Sequence, residues 1–321
     1  MSLGEFDIIA RYFATSRPRG DVLLGIGDDA AVLDVRPDRK LVVAMDTIVD
    51  AVHFPVGTAA ADIGYRSLAV NLSDLAAMGA EPSWMTLSLS FPKADEAWLA
   101  GFAAGLFEIA DRFSVALAGG DTVKGPLVIT VQVAGWIEAD RWLTRSGARP
   151  GDLIFVSGVP GEAAAGLAVI QKNLPDTSAA GELRQRFLRP DPRVALGRSL
   201  RTIASAAMDI SDGLLTDLGK LCASSSCGAR IDVDRLPRSA AMAQLFAADA
   251  CVQYALAGGD DYEILFTVPA QQALHLERQL IGGVACTQIG VITHAGGVEC
   301  RKDDRPYAIE HTGYDHFAVR P

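Results

Sequence analysis

Carboxylates at the ends of apolar elements constrain this chain more than any other feature of it. The run "KLVVAMDT" (40–47) is a strand pattern that closes on Asp46, and "LLGIGDDAAVLDV" (23–35) places Asp28 and Asp29 straight after a glycine turn. Asp121 follows Gly119-Gly120 behind the strand-like "VALAGG", and Asp74 sits in the last turns of a helical pattern. In the second half "MDISDGL" supplies Asp209 and Asp212, and "GGDDYE" supplies Asp260, Asp261 and Glu263. A cap or a turn would account for any one of these acids. Their repetition at the ends of elements calls for a common partner, and Asp74 shows why. An acid near a helix C-terminus opposes the macrodipole, so local stability gives no reason for it and a bound cation does.

The elements carrying these acids read as alternating strands and helices. "ADIGYRSLAVNLSDLAAMGAEP" (61–82) has Ile63, Leu68, Leu72, Leu75 and Ala76 on one face, with Gly79 and Pro82 as stop signals. "WMTLSLSF" (84–91) alternates as a half-buried strand. A helix over about 95–113 and strands at "VALAGG" and "LVITVQVAGW" follow. Gly, Pro and Arg crowd "TRSGARPGD" (144–152), which marks a boundary between residues 1–140 and 148–321. Beyond it, "LIFVSG", "ARIDV", "YEILFTV" and "TQIGVI" read as strands, and "GEAAAGLAVI", "RVALGRSLRTIASA" and "DGLLTDLGKLCASS" as helices. Ala-Gly-Gly-Asp occurs at 118–121 and again at 257–260, a short echo.

Bulk properties exclude several classes. With 29 basic and 39 acidic residues the net charge is −10, which argues against a nucleic-acid or anionic-membrane binder. No apolar run reaches the roughly 18 residues of a membrane span. Glu5 and Asp7 stand where a secretory leader would be basic and then apolar, and the five cysteines show no zinc spacing. A cytoplasmic protein with reduced thiols is expected.

Gly25, Gly27 and Ala30 match the G-x-G-x-x-A loop that cradles a dinucleotide pyrophosphate, yet Asp28 and Asp29 fill the middle positions. Bare carboxylates repel a phosphate, whereas carboxylates that hold a divalent ion attract one. An all-oxygen donor set selects Mg²⁺ or Mn²⁺ over zinc. The P-loop, H-R-D, D-F-G, H-E-x-x-H and G-x-S-x-G signatures are all absent. The pattern that remains is a phosphoryl-transfer site built from acids.

The motifs "GEFDIIARYF", "GIGDDAAVL", "DTIVDAVHF", "AVNLSDLAAMGAEP", "AGGDT", "LTRSGARPGD", "DISDGL", "GGDDYE" and "GYDHF" run in the order found in the thiamine-monophosphate kinase family. The resemblance extends from about residue 4 to residue 318 and places the chain in the wider aminoimidazole ribonucleotide synthetase-related superfamily. It implies an α+β N-terminal domain that dimerises through its sheets, an α/β C-terminal domain, and transfer of the γ-phosphoryl group of ATP to thiamine monophosphate. By the same resemblance, Asp29, Asp46, Asp74, Asp121, Asp209 and Asp212 hold several Mg²⁺ ions, and Asp74, Asp121 and Asp212 are the catalytic acids among them. Gly120, Asp121, Arg145 and Ser211 contact ATP, and His53, Asp260 and Tyr314 line the thiamine site.

Two positions depart from the family pattern. Met45 stands where a hydroxyl residue is usual, so only its backbone carbonyl can serve a metal, and Asp260 is one methylene shorter than the usual Glu. Alternatives are another ATP-using enzyme of the superfamily or a non-catalytic nucleotide-binding relative. A selenophosphate synthetase needs an early reactive cysteine, but the first here is Cys222. The hydrogenase-maturation relative uses a C-terminal cysteine, and this chain ends "FAVRP".

Overall fold

The computed structural model describes residues 4–15, 19–273, 280–309 and 313–314. The chain divides into two compact units, residues 1–75 with 80–140, and residues 76–79 with 141–321.

The first unit opens with α1 (Glu5–Ile8), which runs into a π-helical turn (Ile9–Phe13), and a two-stranded β1 (Val22–Leu24) and β2 (Val32–Leu33). β3 (Arg39–Val49), α2 (Ala60–Ala77), β4 (Glu81–Phe91), α3 (Glu96–Phe113), β5 (Ala116–Lys124) and β6 (Val128–Glu138) follow. The four long strands form one sheet in the order β3-β6-β4-β5, with β4 and β5 parallel and the other pairs antiparallel. The alternation read in "WMTLSLSF" is real: Met85, Leu87, Leu89 and Phe91 are buried and Ser88 is exposed. α3 starts where Asp95 accepts the N–H groups of Ala97 and Trp98 at 2.9 and 3.0 Å, the usual N-cap bond. α2 and α3 touch backbone to backbone, since a Cβ at Gly105 would lie 1.8 Å from the carbonyl of Ala61.

α2 ends at Ala77, earlier than its sequence suggests. Gly79 turns left-handed (φ 73°), and Pro82 lies inside β4 at a bulge instead of stopping the helix. The hairpin β1–β2 covers part of the sheet face opposite the helices, with Val22, Ala31 and Leu33 against Trp84, Ala116, Ala118 and Ala134. Asp21 ties this corner down. Its carboxylate accepts from Arg19 at 2.7 and 3.1 Å, from Ser83 Oγ at 2.7 Å and from Trp136 Nε1 at 3.3 Å. The Arg19 fork holds its pKa below the usual carboxylate range, against the opposing effect of burial.

The second unit comprises β7 (Leu153–Ser157), α4 (Glu162–Gln171), α5 (Ser178–Leu188), α6 (Val194–Leu200), β8 (Ala206–Asp209), α7 (Leu214–Ser225), β9 (Gly228–Asp232), α8 (Ala240–Leu245), α9 (Ala248–Ala257), β10 (Ile264–Val268), α10 (Ala270–Ala273), β11 (Cys286–Thr293), β12 (Gly297–Lys302) and β13 (Arg305–Pro306). Its sheet is mixed, in the order β13-β12-β9-β11-β7-β10-β8, with β9 and β12 its parallel pair. α6 is half the length that "RVALGRSLRTIASA" suggests, and a turn leads from it into β8. The two Ala-Gly-Gly-Asp echoes differ in structure: the first lies within β5, the second follows α9. All five cysteines are buried thiols, and burial pushes Cys222 and Cys286 up to about 12, so neither is a nucleophile at neutral pH. No helix among the described residues is long and apolar enough to cross a membrane.

Candidate active site

In the first unit, the glycine turn after β1 and the Gly-Gly-Asp of β5 line one cavity of about 490 Å³. Asp28, Asp29, Gly119, Gly120 and Asp121 all face it. Asp28 Oδ1 accepts the main-chain N–H of Asp29 at 3.0 Å, which makes Asp28 the support for its neighbour. The two glycines differ in purpose. A Cβ at Gly120 would lie 1.9 Å from the Leu87 carbonyl, so the sheet itself demands that glycine, while a Cβ at Gly119 would meet nothing within 4 Å.

Asp46 and Asp74 lie elsewhere in the same unit. Asn71, fully buried on α2, accepts the main-chain N–H of Asp46 with Oδ1 at 2.9 Å and donates to the Ser67 carbonyl at 2.9 Å. Asp74 is three residues further along, on the same helix face and in the last turn. Asn71 carried no role in the sequence reading, although an amide inside an apolar helix stripe was its visible signal. The register places Asp46 level with Val131, Leu87 and Gly120 across the sheet. Three strand spacings separate the ends of that row, about 14 Å, and Asp121, one residue on, points to the opposite face. The acids of this unit therefore form two groups, Asp29 with Asp121 at the β5 edge and Asp46 with Asp74 at the β3 edge.

Met45 projects from the open sheet face, 65% exposed. His53 lies past the end of β3, where its Nδ1 accepts the Val49 N–H at 3.0 Å. That bond leaves the proton of the neutral ring on Nε2.

In the second unit three distant motifs converge. β8 and β10 are antiparallel neighbours with Asp209 opposite Ile264, so the loop leaving β8 meets the loop entering β10. Asp260 N–H donates to the Ser211 carbonyl at 2.8 Å, and Tyr314 N–H donates to the Asp212 carbonyl at 2.9 Å. Ser211, Asp212, Asp260 and Tyr314 thus share one neighbourhood, with Asp209 buried at the end of β8. Residues 315–317 of "GYDHF" lie outside the described residues. Arg145 stands apart in an exposed loop, its carbonyl held by Ser225 Oγ at 3.0 Å.

Of two supporting acids, Asp217 escaped the sequence reading and Asp261 was named there without a role. Asp217, with no exposed surface, accepts the N–H groups of Ser211, Asp212 and Gly213 at 3.0, 3.0 and 3.2 Å and the Lys220 ammonium at 2.8 Å. Lys220 also pairs with Asp212. Asp261 accepts the N–H groups of Gly161 and Ala163 at 2.6 and 3.1 Å, at the start of α4, and burial raises its pKa well above the usual value. Glu263 is gripped by Arg193 and Ser157. Between these anchors Asp260 and Tyr262 are left-handed (φ 70° and 52°), and the Tyr262 hydroxyl donates to Asp260 Oδ1 at 3.2 Å. Left-handed non-glycine residues persist only where the surroundings impose them. Here Asp261 and Glu263 anchor the chain on either side of Tyr262, and the Ser211 carbonyl holds the Asp260 N–H.

The donor chemistry suits a hard cation, since every acid in these groups offers oxygen. Among the described residues, no group of three or more Asp, Glu, His or Cys is already arranged to hold a metal ion.

Residues 27–137 match the N-terminal domain of AIR synthase related proteins and residues 149–303 the C-terminal domain. A thiamine-monophosphate kinase of Salmonella typhimurium is 48% identical over 325 residues, covering 99% of this chain and all of that protein. The crystal structure of thiamine-monophosphate kinase from Stenotrophomonas maltophilia superposes with a TM-score of 0.86 at 47% identity, over 96% of this chain and 99% of that one. A structure of AaThiL complexed with AMPPCP and TMP gives 0.78 at 30% identity over 99% of both chains. With its two acid-bearing units matched end to end, the chain belongs to the thiamine-monophosphate kinase family of AIR synthase related proteins.

Proposed function

We propose that this protein transfers the γ-phosphoryl group of ATP to thiamine monophosphate, giving thiamine diphosphate and ADP, as a cytoplasmic homodimer that uses several Mg²⁺ ions. The observation that carries this reading is the cavity in which Asp29 and Asp121 meet an open glycine turn. Carboxylates facing that cavity would repel a polyanion unless divalent ions lay between them.

Asp29 and Asp121 at one sheet edge and Asp46 and Asp74 at the other are the proposed metal carboxylates of the first unit. Met45 is proposed to offer its main-chain carbonyl beside Asp46. Asp209 and Asp212 serve the metal from residues 148–321, and Gly120, Arg145 and Ser211 contact ATP. His53 offers an Nε2 proton to the phosphate of the acceptor, while Asp260 and the Tyr314 ring take its cationic ring system, the ring by cation–π attraction. When bound, Mg²⁺ neutralises charge between the two polyanions.

The acceptor is a phosphate with a second pKa of roughly 6, so it is mostly dianionic at neutral pH and needs no general base. Direct in-line transfer follows, and the residues contribute positioning and charge compensation. Dimerisation is supported by the open sheet face, where Leu41, Val43 and Met45 of β3 are 43, 48 and 65% exposed. Such an apolar row marks an interface.

The test is product formation from ATP, Mg²⁺ and thiamine monophosphate, run beside free thiamine and beside no acceptor. Thiamine diphosphate with stoichiometric ADP, formed from the monophosphate alone, is the expected result. ATP binding without diphosphate would move the activity to another reaction of the superfamily.

A further inference from the structure

Asp260 is held by groups that lie behind it in the fold. Three main-chain bonds zip residues 260–263 to residues 210–211. Asp260 N–H donates to the Ser211 carbonyl, Tyr262 N–H to the Ile210 carbonyl and Ile210 N–H to the Glu263 carbonyl, each at 2.8 Å. They carry the pairing of β8 with β10 past its last ladder pair, Asp209 with Ile264. Within this zipper Asp260 and Tyr262 are left-handed, a conformation that bulky side chains resist. Two residues apart, they bring the Tyr262 hydroxyl onto Asp260 Oδ1 at 3.2 Å.

Glu263 fixes the far end of the segment. It is buried, and Arg193, the N-cap residue of α6, grips it with a fork: Nε donates to Oε2 at 2.7 Å and Nη2 to Oε1. Ser157 Oγ at the end of β7 donates to Oε2 as well, and Asp191 holds the third guanidinium nitrogen at 2.7 Å. The space around the pair is filled, since a Cβ at Gly158 would lie 2.1 Å from Glu263 Oε1. Stability alone gives little reason for such a pair, because well-packed apolar residues of the same volume are often as stable. An apolar pair would not fix the direction in which the chain enters β10.

We propose that Tyr262 and Arg193 are positioning residues for the acceptor. The Tyr262 hydroxyl holds the Asp260 carboxylate in the direction that meets the cationic ring system of thiamine monophosphate. Arg193, acting through Glu263, holds Tyr262 in the left-handed conformation from which its hydroxyl reaches Asp260. The assignment rests on the proposed place of Asp260 in the kinase reading. It also accounts for the short side chain there: a carboxylate one methylene shorter than Glu has less reach, and one already held loses less freedom on binding.

The test measures kcat, KM for thiamine monophosphate, KM for ATP and Tm on the wild type, Tyr262→Phe, Arg193→Lys and Glu263→Gln. Tyr262→Phe is expected to raise the acceptor KM on the order of five-fold. KM for ATP is expected to stay within about two-fold, and Tm to stay unchanged. In an Asp260→Ala background the same substitution is expected to raise the acceptor KM no further, since the bond it removes is already gone. Arg193→Lys keeps the charge without the fork, and Glu263→Gln keeps the shape without the charge. Both are expected to lower Tm and to raise the acceptor KM more than that for ATP. They probe one ion pair from its two ends, so one soluble variant decides it. An unchanged acceptor KM in Tyr262→Phe, or an equal rise in the Asp260→Ala background, would overturn the inference. A lower Tm with both KM values unchanged would make the Arg193–Glu263 pair structural and overturn its part. No diphosphate from the wild type would overturn the kinase reading and this inference with it, a result distinct from any ratio among the variants.

Discussion

Asp217 Oδ2 accepts the main-chain N–H of Asp212 at 3.0 Å, so a carboxylate with no exposed surface shapes the loop that presents a half-buried one. Two further N–H bonds and Lys220 complete the arrangement. Asp217→Ala would leave three loop N–H groups without their acceptor, at about 1–3 kcal/mol for each that stays buried. The expected outcome is a clear fall in Tm and loss of turnover. Asp217→Asn keeps one acceptor oxygen and is expected to fold, with kcat reduced by at least about ten-fold. Thermal denaturation and initial rates at saturating ATP check both variants.

Asp74 separates function from stability with the opposite sign. An acid in the last turn of a helix costs about 0.3–1 kcal/mol, so Asp74→Asn is expected to lose most of kcat without lowering Tm. Turnover near normal at saturating Mg²⁺ would remove Asp74 from the metal set. A fall in Tm would show that its role is structural.

The adjacent glycines of β5 give a paired comparison. Gly120→Ala drives a Cβ to within 1.9 Å of the Leu87 carbonyl, and the strand must shift, with insoluble or strongly destabilised protein as the expected result. Gly119→Ala has open space and is expected to keep Tm while raising KM for ATP on the order of several-fold, as the methyl enters the cavity. Soluble yield, Tm and KM distinguish the two.

Asp21 predicts a pH dependence. Its folded-state pKa lies below the ordinary 3.8, chiefly through Arg19. The ion pair therefore stabilises the fold above pH 3.8, and that contribution is lost as pH falls through this value and below it. Asp21→Asn is expected to cost about 2 kcal/mol at pH 7, with the gap to the wild type beginning to narrow as pH falls below 3.8 and closing only in stronger acid. Paired denaturation curves across that range measure it, and a gap independent of pH would disprove the assignment.

The exposed row on β3 tests the assembly. Val43→Glu places a carboxylate in the middle of that row and is expected to shift the protein from dimer to monomer in sedimentation equilibrium with its fold intact. A wild-type monomer, or a variant dimer of unchanged affinity, would locate any interface elsewhere.

Much of this architecture was legible because the local patterns were strong. The alternation in "WMTLSLSF" decided β4, and the apolar stripe from Ile63 to Ala76 decided α2. Ends were less legible. Pro82 reads as a helix stop, yet it is accommodated at a bulge in β4, because proline has no N–H to give a regular ladder and a bulge tolerates the missing donor.

By itself the sequence determined which chemistry is available. Paired acids beside glycines, without a P-loop lysine, give the proposed hard-cation and phosphate chemistry, and no folding is needed to read that. Tertiary structure decided which of those acids meet. Asp46 and Asp121 end up about three strand spacings apart on opposite faces. Residues 211–212, 260 and 314 instead become hydrogen-bonded neighbours, because β8 and β10 pair antiparallel and bring their loops to the same end. Sheet order and register are set by the packing of the whole unit, and no local stretch of residues encodes them.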